Sequence, residues 1–318
     1  MSEAVDFHVH YSDQPGRTVV EVAAANGLVC IGLVRRLEIS SNLQEFVDFG
    51  RDKGIRVEPG VEWVARIGVD KAELIALGFD VSHPVVRKYF GVEEAVERNA
   101  EIARRQKAFL EEMGYVFDGT SNRDIETINK LEAGRISEKA IAWCRLLIGA
   151  SGNKEKIESY LNSHASSWNE AVKNYGKMPR YSNKQELLAK FFWSELFALG
   201  KPGCFPTPSQ GATDEIIRGV HDAGGIVIYS PEGSFSWKIF EKLADLGTDG
   251  VMGWHGSRLE LDRQSVARIR KRGLLVLGGS DFDPEKNHWQ LGVGDGRMYV
   301  SSRRLRDYLS YKSRYNHA

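Results

Sequence analysis

The 318 residues carry 43 Lys and Arg against 43 Asp and Glu, a formal net charge of zero, with 10% aromatics, so no global field argues for nucleic acid or a membrane surface. Cys30, Cys144 and Cys204 are odd in number and far apart, which gives neither a disulfide framework nor a C-x-x-C zinc knuckle and predicts a reducing, cytoplasmic compartment. A basic-then-apolar signal pattern is absent and no apolar run approaches about 18 residues, so the expectation is a chain neither secreted nor membrane-spanning.

The first apolar run ends in Asp6-Phe7-His8-Val9-His10. Residues two apart on a strand share a face, so His8 and His10 present two imidazoles side by side, as a chelating pair needs; a half-polar strand face has the same pattern. A polar turn (Tyr11 to Gly16), a helix-like run (Thr18 to Asn26) and a buried-strand run (Leu28 to Val34) follow, the last closed by Arg35-Arg36. Ser40 or Ser41 is expected to cap a helix running to Lys53, with Leu43, Phe46, Val47 and Phe49 on its inner face. Gly54 to Glu62 reads as an apolar strand ending in a carboxylate, and Leu74 to Phe79 as the next strand.

From Pro84 to about Lys201 the pattern becomes helical. Apolar residues from Val92 to Met113 recur at three-to-four spacing, and further helices are expected over Ser137–Leu147, Lys154–Ser163 and Asn183–Leu199. The basic residues between Lys173 and Lys190, with Tyr175 and Tyr181 among them, suit either a substrate strand or a solvated helix face. After Pro202, Thr213 is expected to cap a helix ended by Gly224-Gly225. Strands Ile226–Tyr229, Gly250–Gly253 and Leu274–Leu277 then alternate with helices Ser236–Leu246 and Leu261–Arg272, the pattern of a parallel sheet closed into a barrel. The last strand runs into Gly278-Gly279-Ser280-Asp281-Phe282-Asp283.

An H-x-H at the end of the first strand of a β/α series stands where barrel enzymes keep their chemistry. With Gly60-Val61-Glu62 and Gly279-Ser280-Asp281, it makes the chain resemble the PHP (polymerase and histidinol phosphatase) family of metallo-phosphoesterases, and within it the exoribonuclease and nucleoside-phosphate phosphatase branch. The resemblance implies an α/β fold, a distorted (β/α)7 barrel with a helical insertion. Its expected bounds are residues 1–84 and 202–318 for the barrel and 85–201 for the insertion, which would cover the open end.

The family holds up to three metals. Here the resemblance implies one complete centre, His8, His10, Glu62 and Asp281, a set that suits zinc, manganese or iron. The other ligand positions are replaced. Arg35-Arg36 stands where the family has Asp-His, Ile75 and Ser230 where it has histidines, and Asp283 in place of the terminal histidine. The segment holding Asp13 is shortened, which leaves its reach open. One divalent ion with two carboxylates is about neutral, so arginines would supply the charge that a phosphate needs: Arg35, Arg36 or Arg66. Strand alternation sends only one of the first two inward, and the resemblance prefers Arg36 because it stands where the family has the ligand histidine. His255 follows a barrel strand and is assigned protonation of a leaving oxygen, or a structural hydrogen bond; Asp283 is assigned orientation of the attacking water. His288 is the other histidine close enough in sequence to matter. The expected activity is metal-dependent hydrolysis of a phosphorylated small molecule or nucleotide, with short nucleic acid as a further partner. Hydrolysis of amides or esters, and a weakly active or inactive protein that binds a ligand, are the rivals.

Overall fold

The computed structural model describes residues 4–11, 16–68, 70–117, 136–176, 183–197, 201–203, 212–231, 234–256, 259–283 and 300–315. The chain divides into two compact units, residues 1–94 with 208–318, and residues 95–207. The first opens with β1 (Ala4–His10), α1 (Gly16–Ala25), β2 (Leu28–Arg36), α2 (Leu43–Asp52), β3 (Arg56–Ile67), β4 (Asp70–Leu77) and α3 (Pro84–Phe90). Next come α4 (Val92–Glu112), α5 (Ile136–Gly149), α6 (Lys154–Ser163), α7 (Ala165–Tyr175) and α8 (Lys184–Phe192). The first unit resumes with α9 (Thr213–Asp222), β5 (Ile226–Ser230), α10 (Trp237–Asp245), β6 (Gly250–His255), β7 (Leu259–Glu260), α11 (Arg263–Lys271), β8 (Leu275–Gly279), β9 (Val300–Ser301) and α12 (Ser302–Tyr315).

Strand neighbours run β7-β6-β5-β4-β3-β2-β1-β9, with β8 paired to β6. The pairs β1–β2, β2–β3, β5–β6 and β6–β8 are parallel, while β4 is antiparallel to both of its neighbours. That reversal departs from the parallel sheet read from the sequence. β3 runs on to Ile67 and β4 starts at Asp70, and so short a connection, with Gly68 at φ +67°, admits only a hairpin, because a parallel crossover needs about a dozen residues. Beyond β8 the chain returns to β1: the His10 N–H donates to the Phe282 carbonyl at 2.7 Å, and Val9 bridges Phe282 in parallel. Seven strands, β1 to β6 and β8, thus form a nearly closed barrel.

Alternation along the strands sorts residues into two buried layers. Phe7, Val34, Ile75, Ile228, Met252 and Leu277 belong to the interior cluster, which Tyr308 of α12 joins. Leu33, Trp63, Leu74, Tyr229 and Val276 face outward, packed with Val20 of α1, Phe46 of α2, Ile217 of α9 and Phe240 of α10. β1 breaks the rule. Val5 and Phe7 are interior but Val9 is outward, and the register with β2 shifts between Asp6 and Val9. Such an irregularity re-aims side chains, and here it turns His8 and His10 inward at the strand end.

Helix starts differ in detail from expectation. α2 begins after Asn42 with no side-chain cap, and Ala212 rather than Thr213 precedes α9, whereas Ser236 and Asp262 do accept backbone N–H groups at the starts of α10 and α11. In the helical unit Leu110, Trp143, Cys144, Leu147, Phe191 and Phe192 make a separate core. Buried Asn153 donates to the Val116 and Leu147 carbonyls and accepts the Val116 N–H, so its amide is satisfied. α7 occupies part of the basic stretch noted above, Lys190 stacks over Trp193 at 3.6 Å, and Tyr181 lies outside the described residues.

Two features hold β8 against β1. Asp6, fully buried, accepts the His8 N–H at 3.2 Å and the Ser280 N–H at 2.9 Å, pinning the end of one strand to the loop after the other. Gly279 supplies the room: a Cβ there would stand 2.3 Å from the His8 Cβ and 2.6 Å from the His8 nitrogen, distances that no relaxation short of parting the strands relieves. Gly279→Ala is therefore expected to lower unfolding stability by about 3 kcal/mol, the upper part of the usual overpacking range, in urea or thermal denaturation. A loss under about 0.5 kcal/mol, the size of an ordinary surface substitution, would show that the closure tolerates displacement.

Candidate metal centre

At the C-terminal end of the parallel strands, side chains from β1, β2, β3, β6 and the loop after β8 meet. His8 and His10 come from β1, and Glu62 comes from β3 at the level of Arg36 on β2 and Ile75 on β4. His255 ends β6, and Asp281 follows β8. Strand register, not proximity in sequence, sets this level. Two non-glycine residues with positive φ flank the cluster: Asp281 at +52° and Leu37 at +62°. Side chains are rarely held in this conformation unless the surroundings impose it. Leu37 is held by its N–H, which donates to the Glu62 carbonyl at 2.8 Å, and the Phe282 N–H donates to the Ser280 hydroxyl beside Asp281 at 3.1 Å.

The donor atoms converge. His8 Nε2 lies 3.1 Å from His10 Nε2, 2.8 Å from Glu62 Oε2 and 3.6 Å from Asp281 Oδ1. His10 Nε2 lies 3.4 Å from Glu62 Oε2 and 3.0 Å from Asp281 Oδ1. Neighbouring ligands on one cation with bonds near 2.1 Å stand about 3.0–3.4 Å apart, so this spread is that of a ligand set. His8, His10 and Glu62 form one group able to hold a cation; His8, His255 and Asp281 form another. Two imidazole nitrogens facing each other among carboxylates have few protons to share between them, which a cation bound by all of them would resolve.

Electrostatics fit the same picture. Burial works against the charged form of His10, but the charge of Glu62 and the hydrogen bonds that the imidazole donates to Asp281 and Glu62 outweigh it and raise the imidazole to about 9. Burial likewise pushes Glu62 up, and the charge and hydrogen bonds of His10 and His8 overcome this and hold its carboxyl well below the usual range. Asp281 is lowered too, burial again being outweighed by the His10 hydrogen bond and the nearby imidazoles. His255 goes the other way: burial, then the neighbouring charge of His8, brings it down to about 4. An imidazole neutral near pH 7 is suited to act as a base or a ligand.

The arginines separate. Arg36 Nε lies 2.8 Å from Glu62 Oε1, the carboxylate oxygen turned away from the imidazoles, and its side chain is 41% exposed at the mouth. Arg35 is buried and paired with buried Glu38 on the outward side. Arg66 is exposed and stands four residues past Glu62 on β3, about 13 Å along the strand. Asp283 is half-buried two residues beyond Asp281. Ile75 is a fully buried apolar neighbour of Glu62, and Ser230 is fully buried at the end of β5. Asp13 and His288 lie outside the described residues. Asp6 was not distinguishable in the sequence as more than a polar residue in a strand, since its partner at Ser280 is 274 positions away.

No protein-family model matches the chain, and no curated protein matches it significantly. Solved structures do resemble it. A proposed metal-dependent phosphoesterase from Bifidobacterium adolescentis superposes with a TM-score of 0.57 at 17% identity, over 98% of this chain and 97% of its own. An amidohydrolase from Chromobacterium violaceum, solved with bound sulfate and no metal, gives 0.54 at 20% identity over 88% and 87%. At these identities the likeness is one of architecture, and it extends the distorted (β/α)7 barrel with its helical insertion to this chain.

Proposed function

We propose that the chain is a metal-dependent hydrolase of the PHP type, with His8, His10, Glu62 and Asp281 holding one divalent cation and a phosphorylated small molecule or nucleotide as substrate. The observation that carries this reading is the convergence of the Glu62 and Asp281 carboxylates, from separate segments, on the adjacent His8 and His10 imidazoles at spacings of 2.8–3.6 Å. Two imidazoles and two carboxylates suit zinc, manganese or iron better than magnesium or calcium. Such a cation supplies Lewis acidity and lowers the pKa of water.

The remaining work falls to side chains. Arg36 stays protonated at any physiological pH, and its contact with Glu62 fixes the guanidinium beside the cluster while its exposed part faces the mouth. One divalent ion and two carboxylates sum to about zero, so Arg36 gives the site its net positive charge and receives a phosphoryl oxygen through its planar fork. Arg35, with its charge matched by Glu38, and distant Arg66 have lesser claims. Asp283 is suited to orient the attacking water, and His255 to accept a proton or coordinate. The likeness to the Bifidobacterium phosphoesterase supports a phosphoester substrate; the Chromobacterium amidohydrolase supports amide hydrolysis as a second reading.

Protein purified without added metal or chelator is expected to contain about one equivalent of a transition metal by elemental analysis, lost in His8→Ala, and to hydrolyse phosphoesters in a panel that also includes amides. Failure to bind zinc, manganese or iron after reconstitution would sink the hydrolase. Because the metal-free His10 imidazole keeps its proton up to about pH 9, a cation has to displace that proton at neutral pH. Apparent cation affinity should therefore rise with pH and level off above about 9; a flat profile from pH 6 to 9 would contradict the assignment of His10. Arg36→Ala should raise the Michaelis constant for a phosphoester about 10–100-fold, the equivalent of one charge-assisted hydrogen bond, with a smaller change for an amide. An equal loss on both substrates would mean that Arg36 serves only to orient Glu62.

A further inference from the structure

His255 lies apart from the H-x-H and from both carboxylates in sequence, yet the fold sets it beside them. In the register of β6 with β8, His255 stands opposite Gly279, and Gly279 stands against His8 on β1. Strands lie about 4.8 Å apart, so backbones two strands removed are separated by about 10 Å. The His8 and His255 rings nevertheless approach to 5.2 Å between centroids, across the gap left by the missing side chain of Gly279. His255 is 1% exposed, and its donor atom, with those of His8 and Asp281, falls in a group within 4.8 Å of one another.

We infer that His255 is a fifth protein ligand of the single cation, making the shell three imidazoles and two carboxylates. This deepens the hydrolase reading and rests on its metal centre, though not on its substrate. The two donor groups share His8, and Asp281 of the second lies 3.0 Å from His10 of the first, so the groups adjoin and a single cation is the simplest occupant of both. Five protein ligands would leave room on the cation for a water and little else, so a phosphoryl oxygen would be held by Arg36. Three imidazoles also exclude magnesium and calcium as the working ion and favour zinc, iron or nickel.

The test uses metal-free full-length protein loaded with zinc alone. X-ray absorption should count three imidazoles on one bound zinc in the native protein and two in His255→Ala, and zinc affinity, by competition with a chromophoric chelator, should fall at least about a hundredfold, as expected when a ligand rather than its support is removed. His255→Gln guards against a folding defect and should show the same loss of one imidazole with an unchanged circular dichroism spectrum. Two imidazoles in the native protein, or an affinity unchanged in both variants, would overturn the assignment. So would two zinc ions per chain, one of them lost with His255. Three imidazoles on one zinc in a protein that hydrolyses no ester or amide would retire the hydrolase while leaving His255 a ligand; no zinc binding at all would retire both.

Discussion

The molecule depends on one closure. β1 and the chain after β8 have to meet closely enough for His8 and His10 to face Asp281, and neither strand has a neighbour that would force this on its own. Buried Asp6 spans the seam by accepting the Ser280 N–H, the His10 N–H spans it by donating to the Phe282 carbonyl, and Gly279 removes the obstacle. A buried N–H left without a partner costs about 1–3 kcal/mol, a sizeable part of a domain's net stability. The same glycine opens the space across which His255 and His8 approach. Closure of the barrel and assembly of the cluster are thus one event.

Charge is the second constraint. Glu62 and Asp281 bring two carboxylates beside two imidazoles where water is largely excluded, and two uncompensated charges at such depth would be costly. Without a cation the balance is met by Arg36 on one oxygen of Glu62 and by a proton held tightly on His10. The proton sits where a cation would do better, because a single ion can satisfy all of the converging donors while a proton bridges only two.

The sequence marks part of this well. His8, His10, Glu62 and Asp281 are each a chemically active residue at the end of an apolar run, and strand ends on one side of a barrel share a mouth, so position alone suggests that they meet. Strand alternation predicts that only one of Arg35 and Arg36 faces the site, the resemblance selects Arg36, and their different partners, Glu38 and Glu62, reflect that alternation. Other features left no local trace. The irregularity in β1 hides inside a run whose apolar alternation looks unbroken, the β3–β4 hairpin lies in a stretch with no strong turn signal beyond Gly68, and Asp6 acts on a backbone group far along the chain. Local patterns record what a residue is; which strand will lie beside it is a property of the whole barrel.

The surroundings of Glu62 divide its two carboxylate oxygens, one facing the imidazoles and the other Arg36. Ile75, opposite Glu62 on β4, is apolar and offers its outer carboxylate oxygen no partner, and Arg36 occupies that oxygen. A guanidinium carries its charge without competing for the inner oxygen and without depending on metal supply or pH, but it cannot polarise water as a cation does. In the proposed reading, activating water falls to the cation and holding the anion to the arginine. Such a division narrows the substrate range: an arginine fork rewards planar pairs of oxygens, so a site built this way discriminates by the shape of the anion as well as by its charge.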